Sequence, residues 1–127
     1  MESIKSYYND GSIEYEQWLV NGEHHRLDGP AWMTYYKNGS IRGKRWFVNG
    51  VSHRLDGPGY ISYFQNGSIE CERWLVTDEH HRLDGPAIIW YNDNGSIRSE
   101  EWYVNGIYIN DDIIPWLEEN NIIAPFT

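Results

Sequence analysis

A fixed internal repeat of 28 residues constrains this chain more than any other feature. The repeated motifs are Gly-Ser-Ile, starting at Gly11, Gly39, Gly67 and Gly95, and His-Arg-Leu-Asp-Gly-Pro, starting at His25, His53 and His81. A tryptophan keeps the same step at Trp18, Trp46, Trp74 and Trp102. Because such a period is typical of units that pack on their neighbours, we expect one stacked repeat domain. Its parts are a half unit at 1–9, full units at 10–37, 38–65 and 66–93, a partial unit at 94–110 and a cap at 111–127.

Each unit carries two turn signals between short runs rich in aromatic and β-branched residues. The first is Asp-Gly or Asn-Gly, at residues 10–11, 38–39, 66–67 and 94–95, and it predicts a two-residue type I′ hairpin turn. The second follows each Trp-x-Val, at residues 21–22, 49–50, 77–78 and 105–106. We therefore expect an all-β fold, an elongated array of antiparallel hairpins forming a single sheet or a solenoid. No helix is expected before residue 110.

A two-residue loop at Asn38-Gly39 fixes the strand register. It places Ala31 opposite Trp46 and Tyr36 opposite Ile41. The other hairpins give Ser3 opposite Trp18, Gly59 opposite Trp74 and Ala87 opposite Trp102. A small residue opposite each tryptophan leaves room for the indole. Alternation then predicts a packing face that includes the tryptophans, and a second face whose residues differ between copies.

Six residues of the second face break the repeat and are candidates for partner binding: Trp32, Arg45, Phe47, Tyr60, Arg73 and Trp90. Tryptophan, tyrosine and arginine are enriched at the energetic centres of protein interfaces. A structural interpretation stays open beside this one. In it, Trp32 with Arg45 and Tyr60 with Arg73 are cation–π pairs that hold the sheet together.

The His-Arg-Leu-Asp segment contributes three rows of polar residues: His25, His53 and His81; Arg26, Arg54 and Arg82; and Asp28, Asp56 and Asp84. We expect the arginines and aspartates to pair and to satisfy turn backbone groups. The alternative is a histidine recognition strip that titrates near neutral pH. Equivalent residues two strands apart are separated by roughly 9–10 Å, too far to share one zinc ion. No metal site is therefore predicted.

Catalysis is not expected, because a nucleophile, a base and an orienting group should occur once and converge. The polar candidates occur in triplicate, and Cys71 has no unique histidine beside it. The sequence also lacks a phosphate-binding loop, CxxC and HExxH. We predict no enzyme activity, no catalytic residue and no cofactor.

The charge balance limits the partners. A net charge of −9 opposes binding to nucleic acids and to anionic membranes. The single cysteine fits a reducing compartment, and the N-terminal residues lack the apolar run of a secretory signal, so a cytoplasmic protein is expected. The acidity also suggests a second function, an acidic decoy or inhibitor of a basic nucleic-acid-binding protein.

Trp-x-x-Asn-Gly-x-x-His, as in Trp46 to His53, and Tyr-x-x-Asn-Gly, as in Tyr35 to Gly39, resemble the MORN repeat. The longer Asn-Gly-x-x-His-Arg-Leu-Asp-Gly-Pro-Ala form is similar to repeats of giant-virus proteins, and the resemblance extends to residue 106. It implies a scaffold of β-hairpins that mediates protein contacts or dimers, located in the host cytoplasm or the virion if the source is viral. The family's link to phospholipids makes a membrane-associated module a further alternative. The unit here is longer than usual, and Arg26, Arg54 and Arg82 replace the glycine that normally follows the histidine.

The two ends of the array depart from the repeat. After Gly106 the sequence predicts a short C-terminal capping helix, with Asp111 or Asp112 as N-cap, Pro115 in the first turn and Ile114, Trp116 and Leu117 over the open end. The half unit at the N-terminus leaves an outer strand uncovered. Such an edge can pair with another chain, so a homodimer through this strand is one expectation.

Overall fold

A computed structural model of the chain describes residues 3–110 and 114–121. The strands are β1 Ser3–Tyr7, β2 Ile13–Val20, β3 Glu23–His24, β4 Trp32–Tyr35, β5 Ile41–Arg45, β6 Phe47–Val48, β7 Val51–Ser52, β8 Tyr60–Tyr63, β9 Ile69–Arg73, β10 Leu75–Val76, β11 Glu79–His80, β12 Ile88–Tyr91, β13 Ile97–Glu101, β14 Tyr103–Val104 and β15 Ile107–Tyr108. Residues Ile114–Glu119 form a helical segment, α1.

The fold is all-β and built from antiparallel hairpins, as predicted. The longer strands form one sheet in the order β1-β2-β4-β5-β8-β9-β12-β13, with β3 paired to the end of β2. The remaining short strands pair as β6-β7, β10-β11 and β14-β15. Each unit thus adds a long hairpin to the sheet and a short hairpin beside it.

Only part of the predicted C-terminal cap is among the described residues. The N-cap candidates Asp111 and Asp112 fall outside the described residues, as do residues 113 and 122–127. Segment α1 lies where a helix was expected. Four of the five residues of β13, the last strand of the main sheet, are exposed, so the predicted covering of the array's end does not extend to this strand.

The first turn of each unit differs from the predicted two-residue type I′ turn. Tyr36 N donates to Ser40 O and Gly39 N donates to Tyr36 O, both at 2.9 Å, which closes a three-residue loop. Gly39 has a φ of 88°, whereas Asn38 does not have a positive φ. The cause is the serine after the glycine, because Asn38 Oδ1 accepts hydrogen bonds from both Ser40 N and Ser40 Oγ.

The predicted register is nevertheless correct along most of the long hairpin. Trp32 pairs with Arg45 and Thr34 with Gly43, but Tyr35 pairs with Ile41. Tyr36 opposite Ile41 was therefore wrong. The loop is one residue longer than predicted, and a bulge at residue 42 compensates for it. Equivalent bulges occur at residues 14, 70 and 98.

The type I′ geometry occurs at the second turn instead. Asn49 and Gly50 have φ angles of 50° and 78°, and Thr77 and Asp78 have 49° and 65°. A β-branched residue rarely adopts a positive φ, so the Thr77 turn is the strained copy.

The pairing of small residues with tryptophans holds for Ser3 and Trp18 but shifts in the other hairpins. Ala31 N donates to Arg45 O, and the amides of Gly59 and Ala87 make the equivalent bonds to Arg73 and Glu101. The small residues instead accept hydrogen bonds from the tryptophan that follows the preceding long hairpin, in the same unit: Trp18 N to Ala31 O, Trp46 N to Gly59 O and Trp74 N to Ala87 O. A proline, which cannot donate, precedes each hairpin at this point and accounts for the irregular ladder.

The core does not lie on a single face. Of the residues predicted to pack, Ala31, Ala87, Ile89 and Val104 are buried, but Cys71, Ile88 and Ser62 of the second face are buried as well. The four tryptophans that repeat every 28 residues are only half-buried. Assigning all packing to the tryptophan face was therefore wrong, because both faces of this sheet contribute buried residues. Burial raises the pKa of the Cys71 thiol, which disfavours its reactive thiolate form.

Candidate protein-binding face

Arginine and aromatic side chains alternate across the sheet on the face that varies between copies. The backbone register sets Trp32 beside Arg45, Arg45 beside Tyr60 and Tyr60 beside Arg73. The Arg45 Cζ atom lies 5.5 Å from the Trp32 ring centroid and 4.7 Å from that of Tyr60. We call the six residues of this alignment the Arg–aromatic row: Trp32, Arg45, Tyr60, Arg73, Trp90 and Arg98.

The row continues to the far edge of the sheet. Arg73 Cζ lies 6.0 Å from the Tyr60 centroid and 5.4 Å from that of Trp90, and Arg98 Cζ lies 5.4 Å from the same Trp90 ring. The cation–π pairs of the structural interpretation are therefore present. Since Arg45 is exposed and the aromatic rings are half-buried, the same side chains are also accessible to a partner.

Phe47, the remaining candidate, is connected to the Arg–aromatic row by the ring of His24, which lies beside both Phe47 and Trp32. The His24 ring is stacked on Trp32 with centroids 5.0 Å apart, and its centroid lies 5.1 Å from that of Phe47. Gln17 Oε1 lies 2.8 Å from His24 Nε2. Burial and then the positive charge of Arg45 lower the pKa of His24. The structure thus brings all six predicted residues to one connected surface.

Two open clefts meet at Arg45 and Tyr60. One, of about 360 Å³, is lined by residues including Trp32, Arg42, Arg45, Tyr60, Ser62 and Glu70. The other, of about 500 Å³, is lined by residues including Arg45, Phe47, Tyr60, Arg73, Asp78 and His80. Arg45 and Tyr60 therefore form the centre of the surface, with a concave region on either side.

One lining residue of each cleft also has a buried side-chain nitrogen without a hydrogen-bond partner among the described residues. These atoms are Trp32 Nε1 at the first cleft and His80 Nε2 at the second. A buried indole N–H is a donor, and leaving it unpaired is costly.

Four residues of this surface escaped the sequence analysis: Arg42, Arg98, His24 and His80. Arg42 and Arg98 occupy the bulges, where simple alternation assigns the wrong face. His24 and His80 precede the repeated histidine, and the middle unit has Ser52 at this position. This difference between copies is the sequence feature that could have identified His24 and His80 as candidates.

The repeated arginines have a different role, which matches the predicted pairing. Arg54 Nε donates to Asp56 Oδ1 at 3.0 Å and Arg54 Nη1 donates to Pro58 O at 3.0 Å, while its Cζ lies 4.0 Å from the Trp46 centroid. The other two units have the same contacts. These arginines cover the half-buried tryptophans and are neutralised within their own unit.

The repeated histidines connect neighbouring units. His25 Nδ1 accepts a hydrogen bond from Asn49 N at 2.9 Å, and His81 Nδ1 accepts one from Asn105 N at 2.9 Å. His53 Nδ1 accepts from Thr77 N at 3.2 Å. The described residues contain no cluster of three His, Cys, Asp or Glu residues arranged to hold a metal ion.

A second surface missed by the sequence analysis consists of the exposed leucines of the His-Arg-Leu-Asp loops, Leu27, Leu55 and Leu83. Grooves of about 600 and 530 Å³ separate adjacent loops. This surface repeats with every unit, whereas the Arg–aromatic row does not.

No family model, curated protein or solved structure matches this chain. Among the described residues, no helix has the length and apolar character needed to cross a membrane.

Proposed function

We propose that the chain is a non-enzymatic, MORN-like repeat scaffold that binds a protein partner through the Arg–aromatic row. The observation that carries the proposal is the distribution of arginines. Three of the seven, Arg26, Arg54 and Arg82, are paired with an aspartate of their own loop. The other four, Arg42, Arg45, Arg73 and Arg98, line one face and form no salt bridge within the part of the chain that the structure describes.

Unpaired guanidinium groups gathered on one face of a protein with net charge −9 favour a partner of opposite local charge. Guanidinium binds carboxylates through two parallel hydrogen bonds and stacks on aromatic rings. We therefore propose a protein segment that presents acidic side chains, with apolar groups for the Trp32 and Tyr60 rings. Arg45 and Tyr60, between the two clefts, are the expected centre of the binding energy.

The repeat architecture supports a scaffold. The periodic residues hold the hairpins together through the histidine and arginine contacts, and the non-periodic ones lie on a surface that the sheet fixes in position. A binding site on strands is more rigidly positioned than one on loops. The MORN-like interpretation relies on the repeat motifs and on the hairpin architecture.

The test is affinity capture from a lysate of the native cell, or of the infected host if the source is viral. The bait is compared with the variant Arg45→Ser/Tyr60→Ser. Lys37→Ser is the matched control, because it removes one exposed positive charge outside the row. We expect the wild type and Lys37→Ser to retain a protein with an acidic segment that the double variant loses. Equal capture by all three baits would contradict the proposal.

The same experiment separates the scaffold from the acidic decoy. A decoy binds basic proteins through its carboxylates, so removing Arg45 should leave its binding unchanged or strengthen it. The exposed carboxylates of the repeated loops, Asp28, Asp56 and Asp84, are each already paired with an arginine. Within the described ranges no contact specifically favours the decoy or the membrane module, so both stay alternatives.

A further inference from the structure

We infer that copies of this chain assemble head to tail, with β13 of one copy pairing with β1 of the next. Within the described residues, the main sheet ends at β1 on one side and at β13 on the other. Each of these strands has five residues, and four of the five are exposed in each case. Exposed strand edges are templates for pairing with another chain.

The exposure of equivalent residues in different units shows how the two edge strands differ from strands that are paired on both sides. Ile97 in β13 is 54% exposed, whereas the equivalent Ile13, Ile41 and Ile69 are half-buried. Tyr7 in β1 is 56% exposed, whereas Tyr35, Tyr63 and Tyr91 are half-buried. The same residue types at the same repeat positions are thus covered inside the array and uncovered at its ends.

The pairing between hairpins obeys one rule throughout the chain. Gly43, Lys44 and Arg45 of β5 pair with Ser62, Ile61 and Tyr60 of β8. The equivalent residues of β2 and β4, and of β9 and β12, pair in the same register. One further step of this rule places Ser99, Glu100 and Glu101 opposite Ser6, Lys5 and Ile4 of a second copy.

This register is complementary in charge and in shape. Lys5 would lie between Glu16 of its own chain, 3.9 Å away, and Glu100 of the neighbouring copy. Ile4 would take the position that Ile88 occupies between β9 and β13, where it is buried. A symmetric pair of two β1 strands centred on Lys5 would instead set two lysines against each other, which is unfavourable.

The expected product is an open chain of molecules and not a closed dimer. A contact between two different surfaces of the same protein propagates unless its rotation closes a ring. In such an assembly the Arg–aromatic row of one copy would continue into the next, and binding to a repetitive partner would gain from multivalency.

The test is sedimentation velocity of the 127-residue chain over a wide concentration range. We expect the weight-average mass to rise beyond twice the 15.0 kDa monomer mass and to return to the monomer on dilution. Lys5→Glu and Glu100→Lys should each weaken assembly about tenfold, because like charges then face each other across the new strand pair. Lys37→Glu, the same charge reversal in a turn, should assemble like the wild type.

Restoration of the charge pair makes the test specific. An equimolar mixture of Lys5→Glu and Glu100→Lys should assemble better than either variant alone and approach the wild type, since every contact between the two different variants again joins opposite charges. Thermal unfolding of each variant checks that it is folded. A wild type that stays monomeric, assembly that stops at the dimer, or single variants that assemble normally would each overturn the proposal.

Discussion

Arg26 lies over the indole of Trp18, with 4.0 Å between the guanidinium carbon and the ring centroid, and the next two units repeat the arrangement. A tryptophan that would otherwise be open to solvent is covered by a cation whose hydrogen bonds go to its own loop. This relationship explains why the tryptophans can repeat along a sheet without being fully buried.

Replacing Arg54 with alanine should lower the free energy of unfolding by about 1–3 kcal/mol, because the cation–π contact with Trp46 and the packing of the arginine stem are both lost. Arg54→Lys should lie in between, since it keeps the charge but loses the planar fork. Asp56→Ala should cost less than about 1 kcal/mol because the carboxylate is exposed. Urea unfolding measures all three, and an Arg54→Ala variant as stable as the wild type would refute the covering role.

Thr77→Asn should stabilise the protein by about 0.5–1 kcal/mol, because asparagine tolerates the positive φ that strains a β-branched residue. The backbone hydrogen bond from residue 77 to His53 is unaffected by this change. The mirror variant Asn49→Thr introduces the same strain into the preceding unit and should destabilise by a similar amount. If thermal unfolding gives the two variants shifts of the same sign, the strain argument fails.

A substitution at Gly59 tests which residue lies against it, Leu75 as in the structure or Trp74 as in the predicted register. A Cβ atom added at Gly59 would lie 3.2 Å from Leu75 Cβ, so the obstructed neighbour is Leu75 and not Trp74. Gly59→Leu should cost about 1–3 kcal/mol through overpacking. Gly59→Ala should cost less than Gly59→Leu, because alanine adds only this Cβ atom and Ala31 and Ala87 occupy the equivalent positions. A melting temperature unchanged in Gly59→Leu would contradict this contact.

Stability should decrease as the pH falls below about 6.5, the ordinary pKa of histidine. Burial is the main cause that lowers the pKa of both His24 and His80, with Arg45 and Arg73 as the nearby positive charges. The unfolded chain therefore takes up these protons first, and the stability gained from the neutral rings is lost as the pH falls through the lowered values. The double variant His24→Gln/His80→Gln should show a shallower decrease in urea midpoint between pH 7 and 5. An identical pH dependence in both proteins would remove these two histidines as the cause.

Much of the fold was predictable because each turn motif and each tryptophan position occurs several times in the sequence at the same spacing. The period, the antiparallel hairpins and most of the register follow from the spacing of turns and tryptophans. The first turn was mispredicted because Asn-Gly was considered without the following Ser40, whose hydrogen bonds to Asn38 favour the longer loop. The covered tryptophans were mispredicted because the position of Arg26 depends on a contact across the loop that alternation does not encode.

The candidate site was predictable only where residues break the repeat. Trp32, Tyr60 and Arg45 stood out by that criterion, and the structure places them side by side. Arg42 and Arg98 did not, since a bulge changes which face a side chain occupies. That they form no salt bridge among residues 3–110 and 114–121 is a property of the folded chain and has no counterpart in residue spacing.

The most direct test of the central claim is selection of binding peptides from a random displayed library against the immobilised wild-type chain, with removal of those that also bind Arg45→Ser/Tyr60→Ser. Our account predicts enriched peptides that combine aspartate or glutamate with apolar residues, and that compete with one another for one site. Selected peptides that are basic, or peptides that bind the double variant as tightly as the wild type, would contradict it.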